Sequence, residues 1–364
     1  MVRIKDIARE AKVSEGTVDR VLHNRGGVSR KTEAKIKKIL ESRNFSINPV
    51  ASALAMKNKH TIAVLIPEYT NSDVFWRLPY LGILKAVEEV EKLGVNVIIY
   101  NFNQYDSLSY RNTFNVLFKT KPTAVLMVPN FFKETKQIVN QLERFHIPYM
   151  FVNIDLEGFN NKTFVGQDSY TAGYIAGKLM YLSLPQQSAF LIIQSQNKVK
   201  DNNAISNRIQ GFNDYFIKND IKEKVSLTLK LDNLNNLNQV KKKINIYLKE
   251  HKEIKGIFVP SSRIHKVAYC IEDSNLKNLK LIGFDNTPPN IECLKNNSVD
   301  FLISQKPFDQ GYESIRLMAD YLIKKKVPNN KIYLPIDILM KENVQYDKRY
   351  EFTLEKEVRT NDLS

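Results

Sequence analysis

The chain has 364 residues, 43% of them apolar and 26% charged, with a formal net charge of +15, ordinary values for a soluble globular protein long enough for two or three compact units. No apolar run approaches the ~18 residues of a membrane span, and the charged N-terminus lacks a secretion signal's apolar stretch, so no membrane partner and a cytoplasmic location are expected. Cys270 and Cys293 lack metal-site spacing and read as buried free thiols, and the five histidines are scattered, so no metal and no cofactor is implied.

The first helical stripe is Ile4, Ile7, Ala8 and Ala11, broken by Lys12-Val13-Ser14. Ser14 suits an N-cap, because its hydroxyl accepts from the free amides of the next turn. Val18, Val21 and Leu22 give a second short stripe, which leaves Glu15, Gly16, Thr17, Asp19 and Arg20 facing outward or at the helix start. A helix-turn-helix reads bases with these N-terminal positions of its second helix. Ser29 is expected to cap a third helix whose Ile36, Ile39 and Leu40, with Phe45 after it, close a small core. Residues 1–60 hold 14 Lys or Arg against 6 Asp or Glu, a net +8, and the other 304 residues share the remaining +7. The basic end is the expected phosphate-binding end. Lys35, Lys37 and Lys38 taken alone equally suit a solvated helix face. Arg20 is the best base reader, since bidentate contact to guanine is the commonest specific contact in the major groove. Glu15 and Asp19, repelled by phosphates, either face cytosine amino groups or pair with Arg20 or Arg25, and for Asp19 the pair within the protein is the favoured expectation.

The run IKDIAREAKVSEGTVDRVLHNRGGVSRKT, with the NPVASALA stretch after it, resembles the DNA-binding headpiece of the lactose-repressor (LacI/GalR) family of bacterial transcription regulators, over residues 3 to 56. The resemblance implies a helix-turn-helix domain over residues 1–46 that meets double-stranded operator DNA through Ser14, Glu15, Gly16, Thr17 and Arg20. Asp19 departs from it, standing where relatives commonly carry Ser. Residues 47–60 become a hinge helix and linker in which Asn48 and Leu54 touch DNA, Leu54 as a wedge in the minor groove. Small residues at Ala51 and Ala55 let two such helices approach, as in a homodimer. The stretch is too short to hold as an isolated helix, so it is expected to fold only on DNA.

From Thr61 the pattern becomes short strand-like runs, TIAVLI, VNVIIY, AVLMV, YMFVN, AFLIIQ, VSLTLKL, GIFVP, KLIGF and DFLIS, mostly separated by 12 to 30 residues. This βα alternation predicts two doubly wound parallel-sheet lobes, one built before about residue 160 and one after it, with ligands at the carboxyl ends of the strands. The region is similar to the periplasmic-binding-protein-like core of the same family, especially its sugar-binding branch. That likeness implies a ligand-binding domain over 61–345, chain crossings between lobes near 160, 286 and 305, and a small effector (sugar, polyol or derivative) closing the cleft. Residues 346–364, charged and without apolar period, read as a C-terminal extension.

After the first strand, Phe75 and Trp76 match aromatics that stack on a sugar face in relatives, with core packing as the other reading. Arg208, three residues before Gly211-Phe212, matches an arginine that reaches the cleft; its planar fork suits paired hydroxyls or a carboxylate. Phe284, Asp285 and Gln305 match further ligand positions, although Asp285 also suits a turn and Gln305 a hinge hydrogen bond. Two departures from the family bear on the ligand. Pro260-Ser261-Ser262-Arg263 stands where the family has an Asn-Asp pair, and around Pro129-Asn130-Phe131-Phe132 the usual polar contacts are not evident, which suits a bulkier or less polar ligand. The chain lacks the G-x-x-x-x-G-K-[ST], G-x-G-x-x-G, G-x-S-x-G and H-E-x-x-H motifs. The expected function is a sequence-specific, effector-controlled transcriptional regulator, a repressor rather than an enzyme; the alternative is a sugar-binding α/β protein with activity on a carbohydrate.

Overall fold

A computed structural model describes residues 3–22, 26–43, 45, 60–70, 74–185, 187–195, 203–222, 224–231 and 234–346. The calls on Arg25, Asn48, Leu54, Ala51, Ala55 and residues 347–364 lie outside them. The chain divides into a small N-terminal unit and a large unit beginning near residue 59.

The N-terminal unit has three helices, α1 (Ile4–Ala11), α2 (Glu15–Leu22) and α3 (Arg30–Ser42). Ile7, Ala8, Ala11, Val18, Val21, Ile36 and Ile39 form its core, with Leu22, Leu40 and Phe45 packed against it. Lys12 ends α1 in the left-handed conformation, φ 57°, which turns the chain into α2 within three residues. The Thr17 amide donates to Ser14 Oγ at 3.2 Å, and the Thr32 amide donates to Ser29 Oγ at 3.2 Å, so both serines cap as their side chains suggest.

The large unit holds two six-stranded sheets. The first contains β1 (His60–Pro67), β2 (Val95–Phe102), β3 (Ala124–Met127), β4 (Tyr149–Val152), β5 (Phe164–Gly166) and β11 (Lys331–Tyr333), ordered β11-β5-β4-β3-β1-β2 and parallel throughout. The second contains β6 (Ser188–Ser195), β7 (Lys224–Leu231), β8 (Ile254–Phe258), β9 (Lys280–Phe284), β10 (Phe301–Ser304) and β12 (Asp337–Leu339), ordered β12-β10-β9-β8-β6-β7, with only β12 antiparallel. Strands such as β3 and β4 are buried along their whole length, because helices cover both faces of a parallel sheet.

The chain crosses between lobes at 167–168, at 305–306 and at 334–336. The first crossing falls later than 160 because β5 still belongs to the first sheet. No crossing occurs at 286: β9 and β10 pair in parallel within the second sheet, Ile303 opposite Phe284. The third crossing lies instead between β11 and β12, strands of three residues each.

Each lobe closes on one tight helix pair. In the first, α4 (Arg77–Val90) packs on α13 (Pro307–Lys324), and in the second α7 (Ser169–Ser183) packs on α8 (Asn203–Lys218). Glycines make the approach possible: a Cβ on Gly82 would lie 1.9 Å from the Phe308 carbonyl oxygen and one on Gly311 2.1 Å from that of Pro79, while a Cβ on Gly173 or Gly211 would lie 2.0 Å from the carbonyl oxygen of Arg208 or Tyr170. Backbone cannot yield as a flexible side chain can. Gly211→Ala and Gly311→Ala are each expected to lower stability by about 1 to 3 kcal/mol or more, read as a shifted urea midpoint; unchanged midpoints would show that the helices can part without cost.

Candidate functional site

Between the two lobes lies a cleft of about 820 Å³, a volume that includes open solvent. Its walls come from the carboxyl ends of strands, where ligands sit in open α/β sheets. Phe75 and Trp76 enter after β1, Gln104 after β2, Asn130 after β3 and Asn153 after β4; the second lobe contributes Arg208 from α8, residues 260–263 after β8, Asp285 after β9 and Gln305 after β10. Phe75 and Trp76 meet edge to face, centroids 5.0 Å apart, and are buried in the first lobe's core while lining the cleft. The core and cleft readings of these two rings are therefore compatible.

The polar side chains form two hydrogen-bonded groups, one within the first lobe and one across the hinge. Trp76 Nε1 donates to Gln104 Oε1 at 3.3 Å, and Asn130 Nδ2 donates to the Gln104 carbonyl at 2.8 Å. Asn153 Nδ2 donates to Gln305 Oε1 and to Gln310 Oε1, both at 3.0 Å, and Gln305 Nε2 donates to Asp285 Oδ2 at 2.8 Å. Gln305 thus lines the cleft and bonds both lobes at once. The first lobe does present a polar face to the cleft, made by Asn130 with Gln104 and Asn153. Each is a polar residue within three positions of a strand end, which is the one signal that marks them.

Phe284 does not line the cleft. It is fully buried, and its ring lies under the Arg208 guanidinium, 3.9 Å from the guanidinium carbon. Next to it Asp285 turns into the left-handed region at φ 69° and faces the cleft. Arg208 is buried, its Nη1 donating to the Pro260 carbonyl at 3.1 Å while Nε has no partner among the described residues. Burial pulls the Arg208 guanidinium down to about 10. It pushes the Asp285 carboxyl up from 3.8 to about 6, against the opposing effects of Arg208 and the Gln305 hydrogen bonds.

In the N-terminal unit Ser14, Glu15, Gly16 and Arg20 are exposed and Thr17 and Asp19 partly so. The Ser14 and Thr17 hydroxyls lie 2.9 Å apart. Two of the three lysines that suit a solvated face have protein partners: Lys35 Nζ donates to the Ala11 carbonyl at 2.9 Å, and Lys37 pairs with Glu33 at 2.6 Å. Among the described residues no group of acids, cysteines and histidines is arranged to hold a metal, and no helix is long and apolar enough to cross a membrane.

Residues 3–48 match the model of bacterial regulatory proteins of the lacI family, and residues 62–326 match that of the periplasmic binding protein domain. The chain carries a DNA-binding domain of the lacI family and, over the greater part of its length, belongs to the periplasmic binding protein domain family. It is a ligand-controlled DNA-binding regulator. The ribose operon repressor of Halalkalibacterium halodurans is 25% identical, with 95% of this chain and 98% of that protein covered. The catabolite control protein A of Priestia megaterium is 24% identical over 94% and 99%. A solved structure described as a LacI transcriptional regulator from Bacteroides fragilis superposes with a TM-score of 0.70 at 26% identity, covering 79% of this chain and 99% of that one.

The shifted Asp285 carboxyl has a direct consequence for this regulator's stability. Its folded value lies above the unfolded one, so the contribution to stability is whole below about pH 4 and is lost as pH rises through about 6. Asp285→Asn removes that loss. The stability of the variant relative to the parent should therefore grow between pH 4 and 8, by up to about 3 kcal/mol, in paired urea titrations; a flat or falling difference would reject a buried, proton-binding carboxyl.

Proposed function

We propose that this regulator is a homodimeric cytoplasmic repressor, without catalytic activity, whose operator affinity is set by a sugar or polyol held between the two lobes. The observation that carries the reading is the cleft itself: one buried cation and one buried carboxyl stand among neutral amides and hydroxyls, with two aromatic rings on the facing wall. Sugars present apolar C–H faces and directional hydroxyls, and such a wall answers both. The relatives named as a ribose operon repressor and a catabolite control protein support it.

In this reading Arg208, Asp285 and Gln305 take the effector's hydroxyls and Trp76 and Phe75 its apolar face, with Phe284 serving as the shelf on which Arg208 rests. Ser14, Glu15, Gly16, Thr17 and Arg20 face the operator, and Asn48 and Leu54 meet it from the hinge. The effector acts by changing how the lobes close, which alters the geometry the hinge offers to DNA.

Two measurements test the two ends. Arg20→Ala should cost about 1 to 3 kcal/mol on operator DNA and much less on random DNA; equal losses in a gel-shift titration would refute base reading. Thermal-shift screening against sugars and polyols identifies the effector, after which Arg208→Ala should bind operator as the parent does yet lose about 1 to 3 kcal/mol or more of effector affinity by calorimetry. Parental effector affinity in that variant would place the site elsewhere.

A further inference from the structure

Gln310 is a fully buried amide on α13 that does not line the cleft, yet both of its ends are used by residues that do. Its Nε2 donates to the Gln305 backbone carbonyl at 2.8 Å and lies 3.4 Å from Gln305 Oε1, while its Oε1 accepts from Asn153 Nδ2 at 3.0 Å. A buried amide turned the wrong way would set oxygen against oxygen and lose these bonds together, so its orientation is fixed.

The direction of the whole chain of amides follows from the carbonyl contact. A backbone carbonyl only accepts, so the Gln310 nitrogen faces it and the Gln310 oxygen faces Asn153. Asn153 must then turn its nitrogen inward, and the same nitrogen lies 3.0 Å from Gln305 Oε1. Gln305 is left with its nitrogen toward Asp285, where it donates to Oδ2 at 2.8 Å. An ionised carboxylate is acceptor-only, so the far end of the chain demands the same direction as the near end. Both hydrogens of the Asn153 amide are thereby committed, one to each glutamine. What Asn153 has left to offer the cleft that it lines is its oxygen.

We infer that Gln310 is the positioning residue that fixes the hydrogen-bond polarity of the effector site: it holds the Asn153 nitrogen inward, so that at Asn153 the site takes an effector hydroxyl as a donor and refuses a group that can only accept. This rests on the reading of the cleft as the effector site. It makes Asn153 an effector contact and gives a residue outside the cleft control over which hydroxyl is read.

Two comparisons on the full-length protein test it, and the first needs no ligand. At about pH 8, where a carboxyl is ionised, Asn153→Asp keeps the shape of the side chain but sets an acceptor against two oxygens, so its urea midpoint should fall below the parent's. Combining it with Gln310→Met, which removes one of those oxygens, should recover part of the loss. A midpoint unchanged by Asn153→Asp, or a double variant no more stable than that single one, overturns the polarity. The second comparison is calorimetry with D-glucose, D-galactose and D-ribose and their monodeoxy and monodeoxyfluoro derivatives. Fluorine cannot donate, so at the hydroxyl that meets Asn153 both derivatives should bind about tenfold or more weaker than the unmodified sugar. In Gln310→Met that loss should shrink to about threefold or less, while the losses at the other positions stay as in the parent. An even weakening at every position would make Gln310 merely structural and overturns its role. No binding by any of these sugars overturns the sugar-sensing reading, and the urea comparison still decides the polarity.

Discussion

One side-chain amide ties the molecule's two lobes together. Gln305 has a single oxygen and a single nitrogen to offer, and the structure uses both: the oxygen accepts from Asn153 of the first lobe and the nitrogen donates to Asp285 of the second. Asn153 and Asp285 occupy matching places. Each follows the fourth strand of its lobe in sequence, each adopts a left-handed backbone, with φ 70° and 69°, and each donates its amide to the strand beside it, Asn153 to Val165 and Asp285 to Ile303, both at 3.0 Å. Asn and Asp are the non-glycine residues that best tolerate this conformation. The turn exposes their side chains at the cleft while the strands stay in register. Because Gln305 itself lies in a crossing segment, any change in lobe angle must be absorbed next to a buried hydrogen-bond chain whose members lose free energy if left unpaired.

That constraint joins recognition to conformation. A ligand group that reaches Asp285 meets a carboxyl already held by Gln305, so it adds to the network that spans the hinge and does not act on one lobe alone. Gln310 extends the same network, its Nε2 donating to the Gln305 carbonyl at 2.8 Å from the start of α13, which packs on the first lobe. A ligand shifts a conformational equilibrium only by its differential affinity for the two states. Contacts made through a residue bonded to both lobes are the kind that differ between states.

How much of this the amino-acid sequence discloses depends on the range of the interactions involved. The headpiece is legible because caps and apolar stripes are local: Ser14, Ser29 and Ile36 do what their neighbours in sequence require. The long strands are legible as runs of Val, Ile and Phe, whereas Arg208 and Asp285 are singled out only by the resemblance to the family and not by any pattern of their own. The crossing expected near 286 fails because sheet membership is decided by partners distant in the chain, and β5, β11 and β12, at three residues each, are too short to show any period. Phe284 misleads for a related reason. In a parallel sheet both faces are buried, so hydrophobicity does not say which of two adjacent residues, Phe284 or Asp285, turns toward the cleft. Gln104 and Asn153 carry no signal beyond being polar after a strand, and only the fold brings them together.

Packing far from the cleft also sets its chemistry. The Arg208 carbonyl lies against Gly173, and Gly211, one turn further along α8, lies against Tyr170. The two contacts fix the height and rotation of α8 on α7, and with them the position from which the Arg208 side chain runs over Phe284 to the Pro260 carbonyl. A guanidinium loses solvation when buried and recovers it only through well-placed partners. A side chain of any size at Gly173 would displace the helix that carries it, so the small residues of the helix pair and the charged residue of the cleft are one arrangement. The absence of a side chain on α7 is what allows a buried cation on α8 to be held in place before any ligand arrives.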